Sequence, residues 1–455
     1  LVNAGTIILP WNANSKYISA SVRNFTHKDG ATLTISVNNS GDYENNVTNH
    51  YSQLETDTAV IEDGAIIHVN VTETNSTGIA GQRMVDVISS TSLDINPSEV
   101  SVTDNSDVLD FSIIVDSNSI NDDTTLDLQI SGGAEATNYR QTKTVEANKH
   151  IFNLMHNIVE LRQRQTGQES GTNGGDLMTK DEQFWFKPFY STGSQNDKGS
   201  QNGFDFTTRG FGVGYDAEIF GKSRAGLALF YTLADIESNN VADKTDITNY
   251  TALLYGSMPL ESGNTFMYQF AYGTQNNEGL RYIFEDDLTK YSSSDYDSTF
   301  TAVDLKWMGE YAFSNDMTAK PLVAASYRSF KTPSYQETGH NTDAALIVES
   351  STVNQFILSA GEIFEYKVDN QTNFITDVRV GYDFNHGDNE VTASFEANSE
   401  LIRTNGIDNG GIVYNLGFSY ETDKEDSTFN LNYNLEGEGT DFQNHIFSAK
   451  YVFKF

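Results

Sequence analysis

The chain has 455 residues, with 28 Lys and Arg against 63 Asp and Glu, a formal net charge of −35. So acidic a chain lacks the basic footprint that a phosphate backbone requires, which argues against nucleic acid as a partner, and with 0 Cys it has no disulfide scaffold, thiol catalysis or Cys-based zinc site. Aromatics at 12% argue against disorder despite the charge, and no apolar run approaches the ~20 residues of a membrane helix, a test that barrel strands never meet. The length allows roughly two to four domains. The chain starts at Leu1 with no signal peptide, as expected of a processed or truncated product.

Residues 1–144 are rich in Asn, Ser, Thr, Asp and Val. Leu33, Ile35 and Val37 alternate with polar residues, as do Ile67, Val69 and Val71, and Leu126, Leu128 and Ile130. That period of two is the signal of half-buried strands. Turn residues at 38–41 and 121–123 separate the runs. Short stacked strands of a β-solenoid are expected, although no clean fixed-period repeat stands out.

Residues 145–165, VEANKHIFNLMHNIVELRQRQ, change the period. Ile151, Leu154, Met155, Ile158 and Leu161 recur at spacings of three and four, one apolar face of a helix. The charges are mostly basic, at Lys149, Arg162 and Arg164, which in so acidic a chain calls for an acidic partner surface. A flexible stretch with four glycines follows at 166–176.

Residues 183–455 alternate strongly. In FGVGYDAEI, Phe211, Val213, Tyr215, Ala217 and Ile219 share one face and Gly212, Gly214, Asp216 and Glu218 the other. Strands are expected near 183–192, 204–220, 223–238, 245–258, 264–277, 295–313, 317–331, 351–368, 372–386, 410–422, 427–437 and 443–455. The count is even. Every second connection is tight and the others are mostly long and polar, the pattern of an outer-membrane barrel with short periplasmic turns and long outer loops. Closure removes the exposed strand edges that lipid forbids.

Phe184-Trp185-Phe186, then GFGVGY at 210–215, Gly226-Leu227-Ala228-Leu229, Tyr255-Gly256-Ser257, VRVGYDF at 378–384, Gly417-Phe418-Ser419-Tyr420 and the terminal Tyr451-Val452-Phe453-Lys454-Phe455 together resemble the translocator β-domain of the monomeric autotransporters, the type Va secretion family. The resemblance covers roughly 145–455. It implies an all-β fold: a twelve-stranded antiparallel transmembrane β-barrel with an α-helix in the lumen. Residues 1–144 resemble the C-terminal part of such a family's passenger, often a folding platform outside the cell, so a longer passenger is expected upstream. The implied organisation is passenger at 1–144, linker helix and flexible segment at 145–182 and barrel at 183–455. The implied function is export and anchoring of the chain's own passenger at the surface of a Gram-negative bacterium, without ATP. A structural alternative is an uncleaved adhesin or surface-layer component held by the barrel. Implied partners are outer-membrane lipid and lipopolysaccharide, the outer-membrane insertion machinery and the passenger itself, with no cofactor.

The helix charges cannot face lipid cheaply, so Lys149, Arg162 and Arg164 are expected to pair with the inward Asp216 and Glu218, with Ile151, Leu154 and Ile158 completing the lumenal helix. Phe447, Tyr451, Phe453 and Phe455 resemble the signal read by the insertion machinery. Self-cleavage at a lumenal asparagine, as in some family barrels, has candidates in Asn148, Asn153 and Asn157. The Asn-Asn pair of that subfamily is absent, and three Asn in so Asn-rich a chain need no explanation. Gly210–Gly214 sits within a strand with no following helix, so it is no phosphate loop. The 8 His form neither HExxH nor a ligand cluster, and no GxSxG nucleophile appears; no catalytic or metal residue is expected. The Asp/Asn clusters at 121–123 and 285–287 lack EF-hand spacing and are expected to be solvated, leaving divalent cations as partners of the acidic surface as a whole. Asn46 and Asn70 begin Asn-x-Ser/Thr triplets, which carry little meaning in a bacterial envelope protein.

Overall fold

The computed structural model describes residues 1–10, 19–38, 51–72, 82–106, 109–118, 123–132, 141–163, 182–198, 201–220, 223–239, 243–260, 263–282, 291–339, 345–369, 371–387, 390–395, 401–423 and 427–453. Strands with one apolar face must stack that face against another sheet, and the N-terminal part does so in rungs. β1 (Val2–Asn3), β3 (Ser19–His27), β5 (Gln53–Ile61) and β7 (Arg83–Ile95) lie side by side in one parallel sheet. β2 (Thr6–Leu9), β4 (Thr32–Val37), β6 (Ile66–Val71) and β8 (Ser101–Asp104) form the other. β9 (Leu109–Asn118) and β10 (Asp123–Gly132) extend the first sheet as antiparallel strands in the order β7-β10-β9. Leu33, Ile35 and Val37 stack directly on Ile67, Val69 and Val71, and all six are buried with Leu126, Leu128 and Ile130.

The rungs do repeat. Val22 pairs with Thr56 and Thr56 with Ser90, a step of 34 residues. The same step relates Asp29-Gly30-Ala31 to Asp63-Gly64-Ala65. Gly30 at φ 67° and Gly64 at φ 81° occupy the left-handed region that such turns require. Gly30 N–H donates to the Gly64 carbonyl at 3.1 Å, and Lys28 pairs with Glu62 across the rungs. The period escapes notice because the turn keeps its residues while the core positions change theirs.

His27 is fully buried between the sheets. Asn3 Nδ2 donates to its Nδ1 at 3.0 Å, and its Nε2 donates to the Ile66 carbonyl at 3.0 Å. The bond from Asn3 requires the neutral ring, since a protonated Nδ1 cannot accept. Burial holds the imidazole pKa below its ordinary 6.5, with the Ile66 carbonyl opposing the shift.

Beyond α1 (Gln141–Gln163), which starts four residues earlier than expected, the chain is again strands. They are β11 (Glu182–Gln195), β12 (Phe204–Glu218), β13 (Arg224–Ser238), β14 (Lys244–Pro259), β15 (Thr265–Tyr282), β16 (Tyr291–Met308), β17 (Tyr311–Ala312), β18 (Met317–Thr332), β19 (Tyr335–Gln336), β20 (Thr338–Gly339), β21 (Leu346–Val348), β22 (Ser351–Lys367), β23 (Thr372–Asp383), β24 (Glu390–Phe395), β25 (Ile402–Asn405), β26 (Ile412–Asp423), β27 (Ser427–Glu438) and β28 (Phe442–Phe453). The twelve long ones, β11 to β16, β18, β22, β23 and β26 to β28, form a closed antiparallel ring, as expected. Closure is by β28 on β11, with Phe447 opposite Tyr190, and the ring runs on through β16 on β18.

Period two sorts the faces. Leu229 is 53% exposed between Ala228 at 1% and Phe230 at 3%. Phe186, Phe211, Tyr215, Leu227, Tyr250 and Phe418 likewise face outward, the apolar band of a membrane barrel. The glycines of β12 do not open space for the helix, as a lumen plug would suggest. A Cβ on Gly212 would meet the Phe230 ring at 2.4 Å and one on Gly214 the Trp185 ring at 2.3 Å. They admit the inward aromatics of the neighbouring strands.

One end of the barrel carries the short connections 219–223, 260–264, 309–316, 368–371 and 424–426. The other carries the long connections 333–350 and 384–411, although 439–441 at that end is also a tight turn. β19, β21, β24 and β25 of the two long connections form a sheet of their own above the rim. Its Leu346, Val348, Val391, Ala393, Phe395 and Ile402 belong to one buried cluster with the core of the N-terminal rungs. The same sheet is tied to the barrel by a buried Arg281–Glu337 pair at 2.6 Å and by Tyr335 stacked on Tyr296 at 4.1 Å.

The depressed His27 pKa has a testable sign. The unfolded ring takes up a proton near its ordinary value and the folded one resists it, so this contribution to stability is present above pH ~6.5 and is lost as pH falls through the lower folded pKa. Amide protection factors of β3 to β6 in the intact chain are expected to fall between pH 7.5 and 5.5. They should fall less in His27→Gln; an equal fall in both proteins contradicts the assignment.

Candidate functional site

α1 mixes charge, amide and apolar side chains on every face, yet every face is buried. Ile151, Leu154, Met155 and Ile158 are buried, and so are Lys143, Glu146, Asn148, Lys149, His150, His156 and Glu160. No helix among the described residues is long and apolar enough to cross a membrane. A helix buried all round with polar groups on every side needs a polar cavity, and the inward face of the barrel supplies one. Trp185, Phe230, Tyr255 and Phe300 pack around the apolar residues of α1. Gln275 Nε2 donates to Asn148 Oδ1 at 2.7 Å, Lys143 Nζ to Ser238 Oγ at 2.5 Å, and Asn157 Nδ2 to Glu436 Oε1 at 2.6 Å. Arg328 lies 4.7 Å above the Phe152 ring. Lys143 sits by the long-loop end of β13, and Glu160 by Lys306 near the short-turn end of β16. Between those two residues the helix rises roughly 26 Å at 1.5 Å per residue, close to the ~25 Å of a barrel's apolar band.

The strongest attachment is acidic on the helix and basic on the barrel. Glu160 is fully buried and receives both Lys306 and Arg379, the guanidinium spanning its two oxygens with Nη1 at 2.8 Å. Asp377 orients that guanidinium through Nε at 2.8 Å. Lys306 also meets His156 Nε2 at 2.6 Å, and His156 Nδ1 lies 3.4 Å from Asp304. Six ionisable side chains from α1, β16 and β23 thus share one buried network. Removing one member of such a network strands the others in a low dielectric, which costs about 3–5 kcal/mol.

This polarity is opposite to the one expected. Lys149 bonds Glu146 Oε1 at 2.6 Å, one turn away on the same helix. Asp216, at the other end of the lumen, takes Arg224 at 2.8 Å and the Tyr255 hydroxyl at 2.7 Å, while Trp185 Nε1 donates to that hydroxyl at 2.8 Å. Glu218 is exposed where β12 ends. A Lys149–Asp216 pair is therefore ruled out by distance along the lumen. The Arg162, Tyr451 and Phe453 side chains lie outside the described residues, as do Arg164, Phe455, the 166–176 stretch, Asn46 and the clusters at 121–122 and 285–287. Phe447 is exposed on the outer face of β28.

The residues that hold α1 were legible in part. Asp304 and Lys306, and Asp377 and Arg379, are charged pairs two apart on strands whose inward face is polar, a pattern with no place on a lipid face. Glu160 was overshadowed by its basic neighbours. His150 lies with Glu146 and Glu438, their ligand atoms within 4.8 Å of one another, a grouping that no local sequence motif marks.

The model of the autotransporter β-domain matches residues 184–434, more than half of the chain. Among curated proteins the chain is 23% identical over 305 residues to outer membrane protein A of Rickettsia conorii, covering 62% of this chain and 15% of that protein. It thus spans only a small part of that relative's length. Among solved structures it is similar to the translocator domain of the autotransporter NalP from Neisseria meningitidis, with TM-score 0.50, 10% identity and coverage of 67% of this chain and 98% of that one. The transport unit of AIDA-I from Escherichia coli follows with TM-score 0.42, 12% identity and coverage of 65% and 97%. The closed twelve-stranded barrel, its apolar outer band and the family match place the protein in the outer membrane of a Gram-negative bacterium, and the chain belongs to the autotransporter β-domain family of type V secretion.

Proposed function

We propose that this chain exports its own N-terminal part through the barrel and then holds it at the cell surface, with α1 closing the lumen once transport ends. The observation that carries this is the position of α1: it lies between the N-terminal rungs and β11 in sequence, and it is buried inside the ring with Glu160 clamped by Lys306 and Arg379. No nucleotide is needed. A chain that folds outside removes apolar surface from water at about 25 cal/mol per Å², so return through the pore becomes unfavourable. The sheet β19-β21-β24-β25, which shares its buried cluster with the rungs, gives the emerging segment a surface on which to fold. Residues 1–144 act in this account as the passenger base. Export requires prior insertion of the barrel by the outer-membrane machinery, to which the β28 end with its outward Phe447 is presented. The barrel serves transport and anchoring rather than reaction chemistry.

Two outcomes test this. Ile67 and Leu128 each sit in a central strand, where a proline removes a ladder hydrogen bond. Ile67→Pro or Leu128→Pro is expected to slow surface appearance of the N-terminal part in pulse-labelled cells; unchanged kinetics contradict a folding-driven export. In planar bilayers the intact chain is expected to conduct little. Deleting 141–163 should raise conductance severalfold, and Glu160→Gln should give frequent transient openings. An intact chain that conducts as well as the deletion shows that α1 does not close the lumen.

A further inference from the structure

At the long-loop end of the lumen, one turn of α1 and the end of β27 bring together Glu146, His150 and Glu438, one ligand atom from each lying within 4.8 Å of the others. Glu146 and His150 are four apart, so they project from the same helix face; Glu438 comes from the facing strand. Among the described residues, neither ring nitrogen of His150, 1% exposed, has a hydrogen-bond partner, nor does Oε2 of Glu146, 2% exposed. Buried polar atoms without partners call for a reason. The His150 ring is held in place by Phe442, stacked on it at 3.6 Å, and flanked by Phe206 at 6.1 Å. That fixes the plane of an imidazole with no hydrogen-bond partner among the described residues, the Glu436 carboxylate lying 4.0 Å from its Nδ1.

Charge in this corner is unbalanced. Glu146, Glu438, Asp383 and, beyond His150, Glu436 face Lys149 and Arg328. Four carboxylates thus gather around two cations, an acidic surplus that a bound cation would offset. Lys149 is committed to Glu146 Oε1, which leaves Oε2 toward the site.

We propose that Glu146, His150 and Glu438 form a divalent transition-metal site that staples α1 to β27 at the outer end of the lumen. One imidazole nitrogen and two carboxylate oxygens suit Zn²⁺ and its first-row neighbours, whereas Ca²⁺ and Mg²⁺ want oxygen alone. The spacing Glu-x-x-x-His is not a familiar metalloprotein motif, and the third ligand is distant in sequence. Together with the Glu160 network, the ion attaches the helix at both ends of the lumen.

The test uses the folded full chain in detergent, stripped with chelator and titrated with Zn²⁺, then with Co²⁺ to read coordination by visible absorption. One equivalent is expected, with Co²⁺ giving ligand-field bands that Ca²⁺ does not displace. His150→Ala and Glu438→Gln should each weaken binding at least tenfold, and His386→Ala, a half-buried histidine beside Asp408 on the 384–411 connection, should leave it unchanged. Heat-modifiability on gels establishes that each variant is folded. Lys149→Met removes the nearby ammonium and keeps all three ligands, so it should bind severalfold tighter and carries the test if His150→Ala misfolds. No bound metal, a site that survives both ligand substitutions, displacement by equimolar Ca²⁺, or loss of binding in Lys149→Met would each overturn the proposal.

Discussion

A sheet in lipid cannot end. Within the hydrocarbon no water is available to an unpaired N–H or C=O, each of which costs several kcal/mol there. The pairing of β28 with β11 removes that edge, and from it the other features follow. Closure separates an outer face, where Leu229 and Phe211 meet lipid, from an inner one that never does. Because the inner face is released from the demand for hydrophobicity, it can carry Lys306, Arg379, Asp304 and Gln275. Only then can a helix as polar as α1 be buried on all sides.

Charge then decides how the helix sits. In a polar lumen an ion pair is less screened than at a surface, so a few well-placed partners fix both depth and rotation. Glu160 with Lys306 and Arg379 sets the short-turn end; Asn148 with Gln275 and Lys143 with Ser238 set the long-loop end. Above the rim the constraint changes, since water is present and apolar surface must again be covered. The rungs of the N-terminal part leave core residues at their stack, and the sheet β19-β21-β24-β25 takes part in the same buried cluster. The two regimes meet at β15 and β16, where Arg281 and Tyr296 hold that sheet to the barrel.

The barrel was readable because its physics is local: alternate residues obey lipid or lumen, and the period of two survives any change of side chain within a class. The twelve strands of the ring follow from that alternation. The helix was readable for the same reason, from Ile151, Leu154 and Ile158. What pairs with what was not, because partners such as Glu160 and Arg379 are far apart in sequence and meet only through the strand register. Counting charges on α1 favoured its bases, yet burial favours whichever charge finds two partners, and that was Glu160. The 34-residue rung was hidden by drifting core residues, with Asp-Gly-Ala at 29–31 and 63–65 as its clearest trace. In the sheet above the rim, Val391, Ala393 and Phe395 do alternate with Thr392 and Ser394, but the run is short and lies within a long connection, so it did not stand out.

The central claim is directional: the N-terminal rungs stand outside the cell and the barrel holds them there. Protease shaving of intact cells, read with separate antibodies to 1–144 and 183–455, tests it most directly. Loss of the 1–144 signal with the barrel retained in the outer membrane is the predicted result. Protection of 1–144 until the outer membrane is opened would place those residues in the periplasm and contradict the account.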